Sequence, residues 1–406
     1  MGLNDAPSGE RTHIGFFGLR NAGKSSLVNA VCNQDVAVVS DVAGTTTDVV
    51  RKSMEILPLG PVVVTDTPGI DDEGVLGEKR VARTRVALRS CDLAVVVIDA
   101  VAGKTPDDEE LLGLVAARGV PCVVAWNKAD LLDEAARSAL LQGLAANEVL
   151  VSATTGEGVN RLREVLGHIA GAERESRHLV ADLLEPGDVV VLVVPIDESA
   201  PKGRLILPQQ MVLRDVLDAH ASALVCQPEE LSATLAALVR PPRIVITDSQ
   251  AFGRVARDVP ETVALTSFSI LMARYKGSLE PLVDGVSHLR SIGDGSRVLI
   301  SEGCTHHRQC GDIGTVKLPA WIRSYSGASP EFSFTQGGEF PDDLSGYDLV
   351  VHCGGCMLNE REMGSRIQAA RAAGVPITNY GMTIAQVNGV LARSLEPFPR
   401  AAALLA

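Results

Sequence analysis

Aromatic side chains and positive charge are both scarce here: rings make up 3% of the 406 residues, and 37 Lys and Arg face 50 Asp and Glu, a net charge of -13. A sequence-tolerant nucleic-acid binder needs a basic groove with rings on which bases stack, so this balance argues against that class and leaves only a local patch for RNA contact. Long apolar runs are missing too. No stretch approaches the roughly 18 residues of a membrane-crossing helix, and the opening MGLNDAPSGERTH lacks the apolar core of a secretory leader. The expectation is a soluble cytoplasmic protein with neither membrane nor nucleic acid as partner.

In a reducing compartment, disulfides are rare, so the eight cysteines read as buried thiols or metal ligands. Cys32, Cys91, Cys122 and Cys226 lie among apolar residues and read as core thiols. A 46% hydrophobic content over this length supports two or three domains, each with its own core.

From Thr12 to about Gly171, short β-rich runs (Ile14 to Phe17, Val62 to Thr65, Leu93 to Ile98, Cys122 to Trp126, Val149 to Val151) alternate with helical patterns. That alternation predicts a doubly wound α/β sheet. The boundaries read as 1–171 for this domain (with 1–11 flexible), 172–185 for a charged linker, 186–264 for a second domain and 265–406 for a third. The two later domains read as smaller α/β folds, with strands at VVVLVVPI after Asp188, Arg243 to Thr247, Arg297 to Ser301, Glu331 to Thr335, Leu349 to His352 and Pro376 to Asn379.

Gly18 to Ser25 reads GLRNAGKS, a phosphate loop between a strand and a helix. Its glycines let backbone N–H groups close on phosphates, Lys24 neutralises β and γ oxygens, and the Ser25 hydroxyl ligates Mg2+. Asn21, Ala22, Gly23 and Ser26 complete the cradle. Asp66-Thr67-Pro68-Gly69 then offers a carboxylate for the Mg2+ shell and a glycine N–H for the γ-phosphate, while Thr46 of the Ala43 to Asp48 loop reaches Mg2+ as a switch hydroxyl. Asn127-Lys128-Ala129-Asp130 selects guanine, because the Asp130 carboxylate accepts from N1 and N2, and Ser152-Ala153 closes the base pocket. GTP is the expected nucleotide. Ile70 stands where Ras-like switches carry a water-orienting glutamine, so intrinsic hydrolysis is expected to be slow.

This first domain resembles the TrmE-Era-EngA group of GTPases, several of which use K+ in place of an arginine finger. The asparagine that ligates K+ in those members matches Asn21; its alternative is a turn residue bonding its own loop.

Downstream, Cys304-Thr305-His306-His307-Arg308-Gln309-Cys310 and His352-Cys353-Gly354-Gly355-Cys356 gather soft ligands. Each half follows an expected strand, where ligand residues of open α/β sheets lie. Four ligands suit tetrahedral Zn2+; three cysteines with one open or histidine position suit a [4Fe-4S] cluster. Ligand type alone leaves both open.

At these residues the chain resembles the [FeFe]-hydrogenase maturation GTPase family HydF, as it does in NAGKSS, AGTTTD, PIDESAPKGRLILPQQ and LTSFSILMARYKG. Cys310-Gly311-Asp312 departs from it where a second acidic residue is expected. The resemblance implies GTPase, dimerisation and cluster-binding domains, a homodimer, and a scaffold that takes a transient di-iron subcluster from two radical-SAM maturases to apo-[FeFe]-hydrogenase. Cys304, Cys353 and Cys356 match the family's cluster cysteines. His306 or His352 reads as an exchangeable fourth ligand or as outer support. The family places Pro195 to Gln210 in the dimerisation domain, with VVVLVVPI as a run to bury against a partner copy. The competing readings are a tRNA- or ribosome-associated GTPase with a structural zinc domain, and an iron-sulfur redox enzyme, for which no flavin or radical-SAM signature is present.

Overall fold

The computed structural model describes residues 8–32, 50–66, 84, 86–174, 178–196, 205–303, 312–337 and 339–405. The chain forms two compact units, Met1–Ser176 and Arg177–Ala406.

In the first unit, strands β1 (Thr12–Gly18), β2 (Val50–Ile56), β3 (Gly60–Asp66), β4 (Leu93–Asp99), β5 (Cys122–Asn127) and β6 (Glu148–Leu150) form one six-stranded sheet in the order β2-β3-β1-β4-β5-β6. All pairs run parallel except β2 with β3. The expected α/β fold is present, its sheet largely parallel with one antiparallel pair at the edge. Its central strands are apolar throughout because helices cover both faces. Alternate residues sort to opposite sides: Ile14, Phe16, Val95 and Val97 pack with Leu27, Leu162 and Leu166, while Phe17, Ala94, Val96 and Ile98 pack with Leu111 and Val115. Those partners sit on helices Lys24–Cys32, Val159–Arg174 and Pro106–Ala117. The last starts at a capping box, Thr105 and Asp108 satisfying each other's backbone N–H.

Two details differ from expectation. Strand β2 reads VRKSMEI, an edge sequence too charged to stand out as a strand. Residues 8–11 are not loose at their inner end, since Arg11 is buried and donates to the Met54 carbonyl at 3.4 Å.

The second unit holds two four-stranded parallel sheets. One contains β7 (Val189–Val193), β8 (Ser222–Cys226), β9 (Ile244–Thr247) and β10 (Ala264–Ser267) in the order β10-β9-β7-β8; the other contains β11 (Arg297–Glu302), β12 (Glu331–Gln336), β13 (Leu349–His352) and β14 (Ile377–Asn379) in the order β12-β11-β13-β14. In each, the first strand lies inside with the second on one flank and the third on the other. A single apolar core joins both sheets, from Val190 and Leu192 to Leu299 and Val351.

The run VVVLV, expected to bury against a partner copy, is instead the inner strand β7, enclosed between β8 and β9. The exposed strand is β8, whose Leu224 and Val225 face solvent at the sheet edge. Among the described residues no helix is long and apolar enough to cross a membrane.

Candidate functional site

The phosphate loop leaves the carboxyl end of β1 between β3 and β4, where the strand order reverses and ligands of open α/β sheets bind. Asn21 takes φ 63° and Gly23 φ 88° in the turn. A side chain at Gly23 would strike the Asn127 amide. The helix begins at Lys24, so its first-turn N–H groups face the loop, an anion-binding arrangement. Buried Lys24 folds back across this cradle and donates to the Gly18 carbonyl at 2.9 Å and the Leu19 carbonyl at 2.8 Å. Ser25 and Ser26 are exposed at the helix start.

The base side lies at the ends of β5 and β6. Asn127 is buried and engaged at both ends: its Nδ2 donates to the Ala22 carbonyl at 2.9 Å, and its Oδ1 accepts from Ala153 N at 3.0 Å. Its amide thus joins the phosphate loop to the base loop. Asp130 is the exposed acceptor, fixed by the Ser152 hydroxyl at 2.6 Å, and Ser152 in turn accepts from Thr155 N. Lys128, at φ 68°, pairs with Asp99 at 2.6 Å. Partial burial works against ionisation of Asp99, but the Lys128 bond and two backbone N–H donors outweigh it and hold the carboxyl below its ordinary value. Thr46 and Gly69 lie outside the described residues; Asp66 ends β3, paired with Phe16.

The second site sits between β11 and β13, the place in this sheet where the strand order reverses. Cys353 follows β13 directly, and its N–H donates to the Ser301 carbonyl at 2.8 Å. Its sulfur accepts from Gly303 N at 3.0 Å and from Gly355 N at 3.3 Å, the environment a thiolate favours. Gly303 is the residue before Cys304 in the sequence. Cys353 and Cys356 are half-buried thiols. Gly355 stands at φ 61°, a conformation that a bulkier residue resists, and this bend returns the loop towards Cys356. Burial first, then the neighbouring Cys353, pushes the Cys356 thiol up, opposed by Lys276. Among the described residues no group of three or more His, Cys, Asp or Glu converges; Cys304 and His306 lie outside them. Two half-buried thiols on a glycine loop, one already accepting two N–H bonds, fit a soft metal or cluster.

The geometry of His352 fits outer support, one of the two roles open to it. It is fully buried, Nδ1 donates to the Cys353 carbonyl at 2.8 Å, and Nε2 accepts from Arg366 Nη1 at 3.0 Å. A guanidinium has donors only, so the ring is the neutral Nδ1–H tautomer and neither nitrogen offers a metal a lone pair. His352 supports the loop rather than ligating from it. Arg366 is equally buried, bonding Glu362 at 3.0 Å and the Gly337 carbonyl at 2.8 Å, with the Phe340 ring centroid 5.1 Å away.

Sequence reasoning missed this supporting layer. Buried Glu302 accepts from the Tyr380 hydroxyl at 3.3 Å, and Lys276 donates to the Gly355 carbonyl and to the Leu358 carbonyl at 2.9 Å. Burial, then Glu302, then Cys353 push the Tyr380 phenol far up, so it stays a neutral donor. The only sequence signal was that Lys276 lies in LTSFSILMARYKG.

Three family models match the chain: a 50S ribosome-binding GTPase over residues 13–128, the hydrogen maturase F dimerization domain over 179–277 and the hydrogen maturase F tetramerization domain over 280–397. Curated relatives match the first unit. They include the tRNA modification GTPase MnmE of Paraburkholderia xenovorans, 41% identical over 182 residues covering 42% of this chain and 39% of that protein. The GTPase Der of Kosmotoga olearia is 34% identical over 170 residues, covering 39% of this chain and 38% of that protein. The chain thus spans well under half the length of either relative. Among solved structures, Era in complex with MgGDPNP and 16S ribosomal RNA nucleotides is 20% identical, covers 53% of this chain and 91% of its own and has a TM-score of 0.33. The G domain of T. maritima FeoB is 22% identical, with 40% and 99% coverage and a TM-score of 0.30. Overlaps this loose carry no functional weight.

Proposed function

The chain belongs to the hydrogen maturase F family, with a GTPase domain ahead of its two oligomerization domains, and from that premise we propose a GTP-hydrolysing scaffold for hydrogenase maturation. In this reading it holds a [4Fe-4S] cluster and carries a di-iron subcluster, its cargo, from two radical-SAM maturases to apo-[FeFe]-hydrogenase in the cytoplasm. The observation that carries the reading is the Gly303 N–H on the Cys353 sulfur at 3.0 Å, which brings the segment entering Cys304 to the Cys353–Cys356 loop.

Cys304, Cys353 and Cys356 are the proposed holders. When bound, a cubane on three thiolates supplies one iron whose remaining position is open to exchange. The chain's own contribution is to orient and shield. The Gly303 and Gly355 amides direct the Cys353 sulfur, the His352 ring pins the Cys353 carbonyl, and Arg366 locks that ring. His306 remains the candidate for the exchangeable position.

On the nucleotide, Lys24 neutralises the β and γ oxygens, Ser25 and Thr46 ligate Mg2+, Asp66 holds its water shell and Gly69 senses the γ-phosphate. Asn21 would hold K+, which would supply positive charge at the phosphate loop. Asp130, Lys128, Asn127, Ser152 and Ala153 select and seat guanine. With Ile70 unable to orient water, hydrolysis is slow and suited to timing the exchange of partners.

A tRNA- or ribosome-associated GTPase with a structural zinc domain is the weaker reading, given the acidic balance and both hydrogen maturase F matches. The test is transfer. Chain purified anaerobically from cells that also make the two maturases is expected to switch on hydrogen evolution by apo-hydrogenase, and chain made without them is not. Equal failure of both preparations removes the scaffold reading.

A further inference from the structure

The two sheets of the second unit repeat each other bond by bond. Before the first strand, Asp188 N donates to the Glu185 carbonyl and Glu185 N to the Asp188 side chain; Ser296 N and Gly293 N do the same with Gly293 and Ser296. After the third strand, Asp248 N reaches the Val193 carbonyl as Cys353 N reaches that of Ser301. After the fourth, Ser267 caps Ile270 N as Asn379 caps Met382 N. The helices that follow end alike, at Gly277 with φ 64° and at Gly389 with φ 70°, and Ser278 N bonds Ala273 as Val390 N bonds Ala385.

These correspondences pair Asp248 with Cys353 and Lys276 with Asn388. The repeated helices also meet at paired positions, Gly381 packing against Ser269. Each half therefore serves as an internal control for the other, one with cysteines after its third strand and one without.

Lys276 and Asn388 both reach across to the opposite half. Neutral Asn388 bonds its own helix at the Ile384 carbonyl and packs on Gly253, 3.0 Å from where a Cβ there would lie. Lys276 instead puts an ammonium, only 5% exposed, on the carbonyls of Gly355 and Leu358, which bracket Cys356. A positive charge held there favours negative charge on the groups that the loop carries. The cation thus occurs beneath the loop that carries thiols, and an amide stands at its counterpart.

We propose that Lys276 is a positioning residue for the cysteine centre, lent by the half that holds none of its cysteines: it tethers the Cys353–Cys356 loop and offsets the charge of the bound group. This inference rests on the cluster reading above. The test reconstitutes the full-length chain and its Lys276→Met, Lys276→Gln, Lys276→Arg and Asn388→Ala variants anaerobically with iron and sulfide. Melting curves, iron per chain, iron release to a chelator and the cluster's midpoint potential are then measured.

Lys276→Gln keeps a donor without charge and is expected to hold iron with a more negative potential. Lys276→Met loses the tether as well and is expected to bind iron about tenfold or more weakly. Lys276→Arg and Asn388→Ala should stay near wild type. A wild-type potential in Lys276→Gln overturns the charge role, and wild-type iron retention in Lys276→Met overturns the tether. Should Lys276→Met not fold, the difference between the Gln and Arg variants decides. A wild-type chain that takes up no iron contradicts the cluster reading instead, so the two failures are distinct.

Discussion

At the scale of single residues, the groups with motif spacing and the groups that hold them in place were unequally visible. Lys24, Asp130 and Cys353 could be read from short patterns because their chemistry requires fixed neighbours in sequence. Lys276 and Arg366 could not, since Lys276 serves carbonyls of Gly355 and Leu358, and Arg366 bonds Gly337, all remote in sequence from them. His352 kept two readings, ligand or outer support, for the same reason: its neighbour Cys353 suggests a ligand, while the Arg366 bond to its second nitrogen, which fits outer support, is not visible in the sequence. Asn21 carries the residue-scale prediction. Its left-handed backbone places an exposed amide at the phosphate loop, so KCl is expected to raise the GTP turnover number above that in NaCl, and Asn21→Ala is expected to remove the difference. Equal rates for the unaltered chain in the two salts would contradict the role given to Asn21.

Among the elements, strands with apolar residues were legible even at the edges β6, β12 and β14, while the edges β2 and β8 were not. All four strands of the third sheet were expected close to where they lie, because burial demands continuous runs such as LVVH. Strand β2 escaped because its edge position tolerates charge, and β8 because SALVC is short and half exposed. With β7 enclosed, β8 is left as an exposed strand edge inside the dimerization-domain match. An open strand edge bearing Leu224 and Val225 can pair with its own copy across a two-fold axis. Val225→Lys, which sets like charges near each other on such an edge, should move the chain from dimer towards monomer in sedimentation equilibrium with little loss of thermal stability. An unchanged dimer would place the contact elsewhere.

For the whole molecule, the alternation of strands and helices made the α/β class plain, while the repeat within the second unit stayed hidden. Its two halves share turn hydrogen bonds, strand order and glycine positions rather than long runs of identical residues, so only the backbone displays it. One half keeps cysteines at its strand-order reversal and the other puts the buried Lys276 on the loop between them, both within a single compact unit. The account rests most heavily on three cysteines from two distant segments sharing one cluster. Iron, sulfide and zinc content with EPR after anaerobic reconstitution tests this directly in the wild type and in Cys304→Ala, Cys353→Ala and Cys356→Ala. About four irons per wild-type chain, a cluster signal on reduction and loss of most of both in every variant is the predicted result; bound zinc without iron, or undiminished iron in the Cys304→Ala chain, would contradict it.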